Sequence, residues 1–517
     1  MGFRKVAILP KRFNLSSHRV DSSGCVTTPS ETFDMDESSV GLLPTSAIPG
    51  PKRMSIVGGI WEQVKFDRDP VKYMYGLRAK YGDLTRFQTR VGTMLLAIGP
   101  EYNRQLHQET DLFHSRPFVL PGGNHTSQHR LRQSIFSLNE AEHKRMRHQL
   151  LPVFQRSMMD LHQHSIRKHV ENAVSTWQPG QARNLHRDMH LLVWNVVRDL
   201  LYGLDDGTAS ESLHEGMEHW MFQTFSPWVR AFPFNIPFTP YNRMMQDANR
   251  LERKFLDLMR KRRAQGVDGN DALSALLRFR TTDGKEVPVE LLVGHALILF
   301  LVAYETTGNT LTWTLFLLSQ FPQAQQDVLD ELQGLGPNPS YDKLEQAPLL
   351  ARVLKESTRL LPAVPYSRRL ASRDGALGRY EIPKKTRVIF SHYMTHHLPE
   401  IYQNPERFDP ARWETIKPSP SEFMPFGSGV RTCLGASLAQ CVIKLAIAHI
   451  LPRWKINVVP HTQVDRHMGI SLGPRNGIPV TISQQDRDLL KSPITGNIRD
   501  MVEIDHPEPA RRTRIAA

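Results

Sequence analysis

With 517 residues, 40% of them hydrophobic, the chain can bury a large core. Its 65 Lys and Arg outnumber 52 Asp and Glu to give +13, but the basic residues are spread out and accompany no nucleic-acid motif. Composition therefore argues against a nucleic-acid partner and leaves an acidic protein or an anionic membrane. Three cysteines (Cys25, Cys433 and Cys441) without a C-x-x-C pair exclude a disulfide framework and point to a reducing compartment.

Residues 1–45 are polar and lack the run of about 20 apolar residues that a membrane anchor needs, so they predict a flexible tail and no transmembrane anchor. Arg4, Lys5, Lys11, Arg12 and Arg19, with no acid among them, faintly resemble a mitochondrial transit segment, which makes a mitochondrial location the alternative to a cytoplasmic one. Ile48-Pro49-Gly50-Pro51 marks the stiff entry into one large domain expected over 46–485, with a polar C-terminal tail over 486–517. A helix near 70–81 precedes two short strands near 84–88 and 94–98, split by Val91-Gly92. From Phe113 to Ser134, Pro, Gly, His and Ser predict a loop.

Glu140 to Phe154 reads as a helix with His143 and Arg147 on one face. His162, His164 and His169 lack a supporting carboxylate or cysteine and predict an exposed helix rather than a metal site. Between Met221 and Tyr241, aromatic residues alternate with prolines, giving a loop that serves packing or touches a membrane. Val287 to Leu318 has the length of one helix of roughly 48 Å. Glu305, Thr306, Thr307, Asn309 and Thr310 interrupt its apolar run, so a buried core helix fits better than a membrane span. Glu356 and Arg359 share a helical face. Pro405-Glu406-Arg407-Phe408 follows, and segments 469–474 and 477–482 predict a terminal hairpin.

Phe426-Gly427-Ser428-Gly429-Val430-Arg431-Thr432-Cys433-Leu434-Gly435 is a glycine-rich loop that presents a cysteine before an apolar helix. A helix N-terminus and Arg431 both favour a thiolate there, hence metal binding. Cys441, inside the helix, predicts an inert small hydrophobe.

The pattern F-x-x-G-x-R-x-C-x-G, carried by Phe426, Gly429, Arg431, Cys433 and Gly435, resembles the haem-ligand loop of the cytochrome P-450 family. The resemblance spans about Pro49 to Ser483 and implies a mainly α fold with small β-sheets, one domain around a buried haem b, and Cys433 as the iron ligand. It places His143, Arg147 and Arg369 against the haem propionates, with Arg368 beside Arg369 as a competitor for that role. Ala303-Tyr304-Glu305-Thr306-Thr307 resembles the oxygen-activating segment: Thr306 would hydrogen-bond dioxygen and Glu305 would relay protons, while Val302 and Ala303 stand where smaller residues are usual. Arg407 is expected to join Glu356 and Arg359 in a buried charge network. The implied activity is hydroxylation or epoxidation of a hydrophobic small molecule with O2. No flavin or iron–sulfur segment is evident, so a separate ferredoxin, with its reductase, or a flavoprotein reductase would supply electrons. A peroxide-using or lipid-isomerising haem-thiolate enzyme, and a non-catalytic haem-binding sensor, are the alternative readings.

Overall fold

The computed structural model describes residues 41–52, 55–204 and 208–504; the basic segment 1–19 and Cys25 lie outside them. Six helices frame its centre: α1 (Glu140–Leu150), α2 (Leu185–Tyr202), α3 (Thr208–Phe225), α4 (Val289–Gln320), α5 (Pro348–Leu360) and α6 (Ala436–Ile450). The 32-residue α4 is apolar nearly all round, and only a helix enclosed on every side can bury such a surface. It packs against α2, α5 and α6. Phe321-Pro322 ends it, since a proline disfavours helical backbone in the residue before it. Among the described residues α4 is the one helix long and apolar enough to cross a membrane, and most of it is buried inside the protein.

A five-stranded sheet flanks the helices. Its strands are β1 (Leu84–Thr89), β2 (Gly92–Ala97), β3 (Phe113–Ser115), β4 (Ser367–Ala371) and β5 (Arg387–Phe390), in spatial order β1-β2-β5-β4-β3. The β2–β5 pair is parallel and the others antiparallel. Alternation along β4 sends Arg368 and Arg369 to opposite faces, with Arg368 over the Phe66 and Tyr366 rings and Arg369 over Phe390.

Four sequence expectations change. The stretch from Phe113 to Ser134 is not all loop: it holds β3 and a short helix, Ser127–Arg132, capped by the Thr126 hydroxyl. The expected hairpin is two separate pairings, Leu472–Pro474 with Arg466–Met468 and Pro479–Gln484 with Trp454–Val458. The tail expected from position 486 remains packed as far as Ile504: Ile494–Thr495 pairs with Thr462–Gln463, and Ile498, Met501 and Val502 are buried. Apolar side chains spaced along that segment outweigh its polar average.

The fourth change is in the charge network. Glu356 and Arg359 are fully buried and paired at 2.9 Å, but the third member is Arg412, whose Nε donates to Glu356 Oε1 at 2.9 Å. Arg407 is exposed and contributes only its carbonyl, which accepts from Arg359 and Arg412. The left-handed turn at Asn404 directs Arg407 outward, whereas the short helix Arg412–Thr415 turns Arg412 inward.

Candidate active site

Gly427 and Gly429, at φ 72° and 64°, occupy the left-handed region that penalises a Cβ, and a Cβ at Gly429 would press on the His107 carbonyl at 3.3 Å. This backbone returns the Cys433 N–H to the Phe426 carbonyl at 2.8 Å. It leaves Cys433 on the wall of a cavity of about 360 Å³. Cys433 is deep in the protein yet has accessible surface, because that surface opens onto the cavity. Gly435 caps α6 with φ −87°, a conformation open to other residues.

The helix N-terminus and Arg431 are expected to favour a thiolate at Cys433, and enclosure works against them. Burial pushes its thiol up, offset in part by the Gly435 N–H and by Arg147. Arg431 turns away to the Leu138 carbonyl at 2.7 Å and Asn139 Oδ1 at 2.8 Å, while Arg147 donates to the Thr432 carbonyl at 2.6 Å and faces the sulfur. The thiol proton is thus one that a metal displaces on binding. Cys441 is the inert counterpart, buried and pushed up to about 12.

Among the described residues, six arginines line the cavity (Arg116, Arg147, Arg230, Arg368, Arg369 and Arg431), and no acid does. Arg230 has Asp67 at 3.3 Å. Arg147, Arg369 and Arg431 find only carbonyl and amide acceptors among the described residues; Arg369 donates to the Leu106 and Arg368 carbonyls. Burial, and then a neighbouring arginine, lowers Arg369 and Arg431 each to about 10. Burial, with Arg431 and Arg147 nearby, lowers His143 to about 4, which makes it a neutral hydrogen-bonding group. Arg368 Nε and His392 Nε2 are buried without a hydrogen-bond partner. Buried cations without countercharge require an anionic ligand. A sulfur donor and surplus guanidiniums in one cavity fit haem, which brings a metal and two carboxylates.

Helix α4 contributes Val302, Ala303, Thr306, Thr307 and Thr310 to the same cavity. The Thr306 hydroxyl donates to the Val302 carbonyl one turn earlier at 2.7 Å, so its lone pairs rather than its proton are free toward the cavity. Glu305 does not line the cavity. It is buried beside His190, with burial and then Glu218 raising its carboxyl to about 7. Cys433, Phe426, Arg431, Gly435, His143, Arg147, Arg369 and Thr306 thus meet at one cavity, and Gly429 and Glu305 stand behind it.

Sequence reading missed Arg116, His107 and His392, which come from separate elements with no motif. It did register Arg368 as the neighbour of Arg369; both line the cavity, from opposite faces of β4. The histidines at 162, 164 and 169 lie on one helix, where His169 has Asp199 at 2.9 Å, and no metal-binding cluster occurs among the described residues. Of the aromatic stretch, Phe225 lines the cavity, whereas Phe222, Trp228, Phe232, Phe234 and Phe238 are exposed.

A mainly helical fold with a cysteine loop facing a hydroxyl-bearing core helix defines the class of haem-thiolate enzymes. The chain belongs to the cytochrome P450 family, whose description matches residues 48–478, and is a monooxygenase of that family. It is 28% identical over 410 residues to cyclooctat-9-en-7-ol 5-monooxygenase of Streptomyces melanosporofaciens, covering 76% of this chain and 87% of the relative. Pentalenene oxygenase of Streptomyces avermitilis is 26% identical over 433 residues, covering 80% and 92%. A retinoic acid-bound cyanobacterial CYP120A1 shares the fold with TM-score 0.75 at 21% identity, over 86% of this chain and 100% of that one.

Proposed function

We propose that this cytochrome P450 hydroxylates or epoxidises a hydrophobic small molecule, holding haem b through Cys433 and drawing electrons from a separate protein. The observation that carries the reading is the shared cavity: Cys433, the unpaired Arg369 and Arg431, and Thr306 of α4 all line it. Haem, when bound through a thiolate, supplies reductive activation of O2, with one oxygen atom inserted into substrate and the other leaving as water.

The chain's own residues do the remainder. Arg369, Arg431, Arg147 and His143 bind carboxylates and orient the group that bears them. Ile135, Val193, Val196, Phe225 and Leu299 exclude water and bind an apolar substrate. Val302 and Ala303 narrow the groove beside Thr306, whose hydroxyl, bonded to the Val302 carbonyl at 2.7 Å, would be the group that orients oxygen there. The names of the Streptomyces relatives favour a cyclic hydrocarbon skeleton as substrate. The charge of +13 suits an acidic ferredoxin or flavoprotein reductase as donor.

The test is a spectral binding screen of terpenoids, steroids, fatty acids and aromatics, followed by turnover of each binder with ferredoxin plus its reductase, with flavoprotein reductase, or with peroxide alone. Oxygenated product that needs O2 and a donor protein supports the reading. Product from peroxide alone, with none from either donor, overturns it.

A further inference from the structure

The arginines of the cavity divide into two groups. Arg369 stands beside Arg431, and burial together with the Arg369 charge holds His107 and His392 neutral around it. Arg147 and His143 join from α1, so this group surrounds the cysteine loop and suffices for the two haem carboxylates. Arg368 belongs elsewhere. It leaves the opposite face of β4, and its guanidinium lies 5.9 Å from the centre of the Phe66 ring and 5.5 Å from that of Tyr366.

The neighbouring cation shows what Arg368 lacks. Arg230 has Asp67, the residue after Phe66, at 3.3 Å, and Gln63 donates to the same carboxylate at 2.7 Å. Arg368 has no acid among the described residues: its Nε is buried without an acceptor, and its side chain makes one long hydrogen bond, from Nη2 to the Tyr366 hydroxyl at 3.4 Å. Tyr366 accepts that bond and keeps its own proton, which finds no acceptor among the described residues. A guanidinium and a hydroxyl therefore present open donors to the cavity that both residues line. Arg116 adds an exposed cation nearby; it follows Ser115, the register partner of Arg369, and so leaves the sheet at the level of Arg368.

We propose that Arg368, with the Tyr366 hydroxyl, anchors the substrate, and that the substrate is an apolar acid whose carboxylate these two groups hold. The assignment deepens the monooxygenase reading and rests on it. An enclosed cation without countercharge is costly until an anion arrives. The guanidinium fork matches a carboxylate with two parallel N–H donors, and Nε is the donor left open. A monoanion is the matching charge, because one guanidinium remains enclosed once the Arg369 group has taken the haem carboxylates. The Phe66 and Tyr366 rings keep water from one side of it, which strengthens the bond. Val193, Val196, Phe225 and Leu299 elsewhere in the cavity suit a hydrocarbon body. Held by charge at one end and by burial along its length, such an acid offers Thr306 a fixed carbon, so Arg368 determines regiochemistry as well as affinity.

Spectral titration of the purified holoenzyme tests this without turnover. The probes are straight-chain fatty acids of graded length and a tricyclic resin acid, each against its own methyl ester. At least one acid should bind roughly 10- to 100-fold more tightly than its ester, the contribution of a charge-assisted pair. Arg368→Ala should erase that difference and leave the esters bound as by the parent, and Arg368→Lys, which keeps the charge without the fork, should restore part of it. Haem content and the reduced carbon monoxide spectrum should match the parent in both variants, since the Arg369 group holds the haem. Acids bound no more tightly than their esters throughout the series, or an acid preference that survives Arg368→Ala, overturns the proposal. Haem lost from both variants overturns it too, by placing Arg368 on a haem carboxylate. Failure of the monooxygenase reading would appear differently, as acids that bind with this preference and yield no donor-dependent product.

Discussion

Replacing Glu356 by alanine removes the one acid from a site that contains two guanidiniums. Glu356 is fully buried and accepts from Arg359 Nε and Nη2 at 2.9 Å each, Arg412 Nε at 2.9 Å, the Asp409 N–H at 3.0 Å and Trp413 Nε1 at 3.0 Å. Truncation strands two cations away from water, and breaking a buried pair in this way costs about 3–5 kcal/mol. Set against a total stability of roughly 5–15 kcal/mol, that loss leaves a marginal scaffold beside the cysteine loop. Arg407→Ala is the internal control: the side chain is exposed, so the expected change is within about 0.5 kcal/mol. Denaturant midpoints and haem content of both variants, purified in parallel, provide the assay. Equal stability in the two, or full haem occupancy in Glu356→Ala, would refute the reasoning.

Thr306→Ala should retain haem and substrate binding while product per electron falls by roughly 10²-fold and peroxide release rises, checked by measuring both against reductant consumed. Arg369→Ala should lower haem retention without altering the thiolate spectrum of what remains, measured by haem transfer to an acceptor protein. For Glu305 the folded value of about 7 lies above the ordinary 4.5, so the folded state binds the extra proton and stability falls as pH rises through that window. Glu305→Gln should therefore be more stable than the parent at about pH 8, by up to roughly 3 kcal/mol, and similar near pH 4, read from urea midpoints at the two pH values.

The parts legible in the sequence are those whose meaning lies in short spacing. The cysteine loop, the Glu356–Arg359 pair on one helical face and the polar break at Glu305-Thr306 each depend on neighbours within a few residues. Arg407 and Arg412 show where this ends. Pro405-Glu406-Arg407-Phe408 and Pro410-Ala411-Arg412-Trp413 repeat one pattern, and what tells the two arginines apart is the left-handed turn at Asn404 before the first and the short helix Arg412–Thr415 at the second. Strand pairing near the C-terminus was hidden for the same reason, since Pro479–Gln484 has its partner in Trp454–Val458 and not in the adjacent segment. The ionisation of Cys433 depends on enclosure, which spacing does not report. The contact of His190 with Asn309, 119 residues apart, carried no signal beyond two histidines one turn apart.

The central claim is that Cys433 is the axial ligand of the haem, and the reduced carbon monoxide complex tests it most directly. The parent should show the strongly red-shifted Soret band of a thiolate-ligated haem, and Cys433→His should move the band to the position of an imidazole-ligated haem. Retention of the thiolate band in Cys433→Ala, with Cys441 intact, would contradict the account.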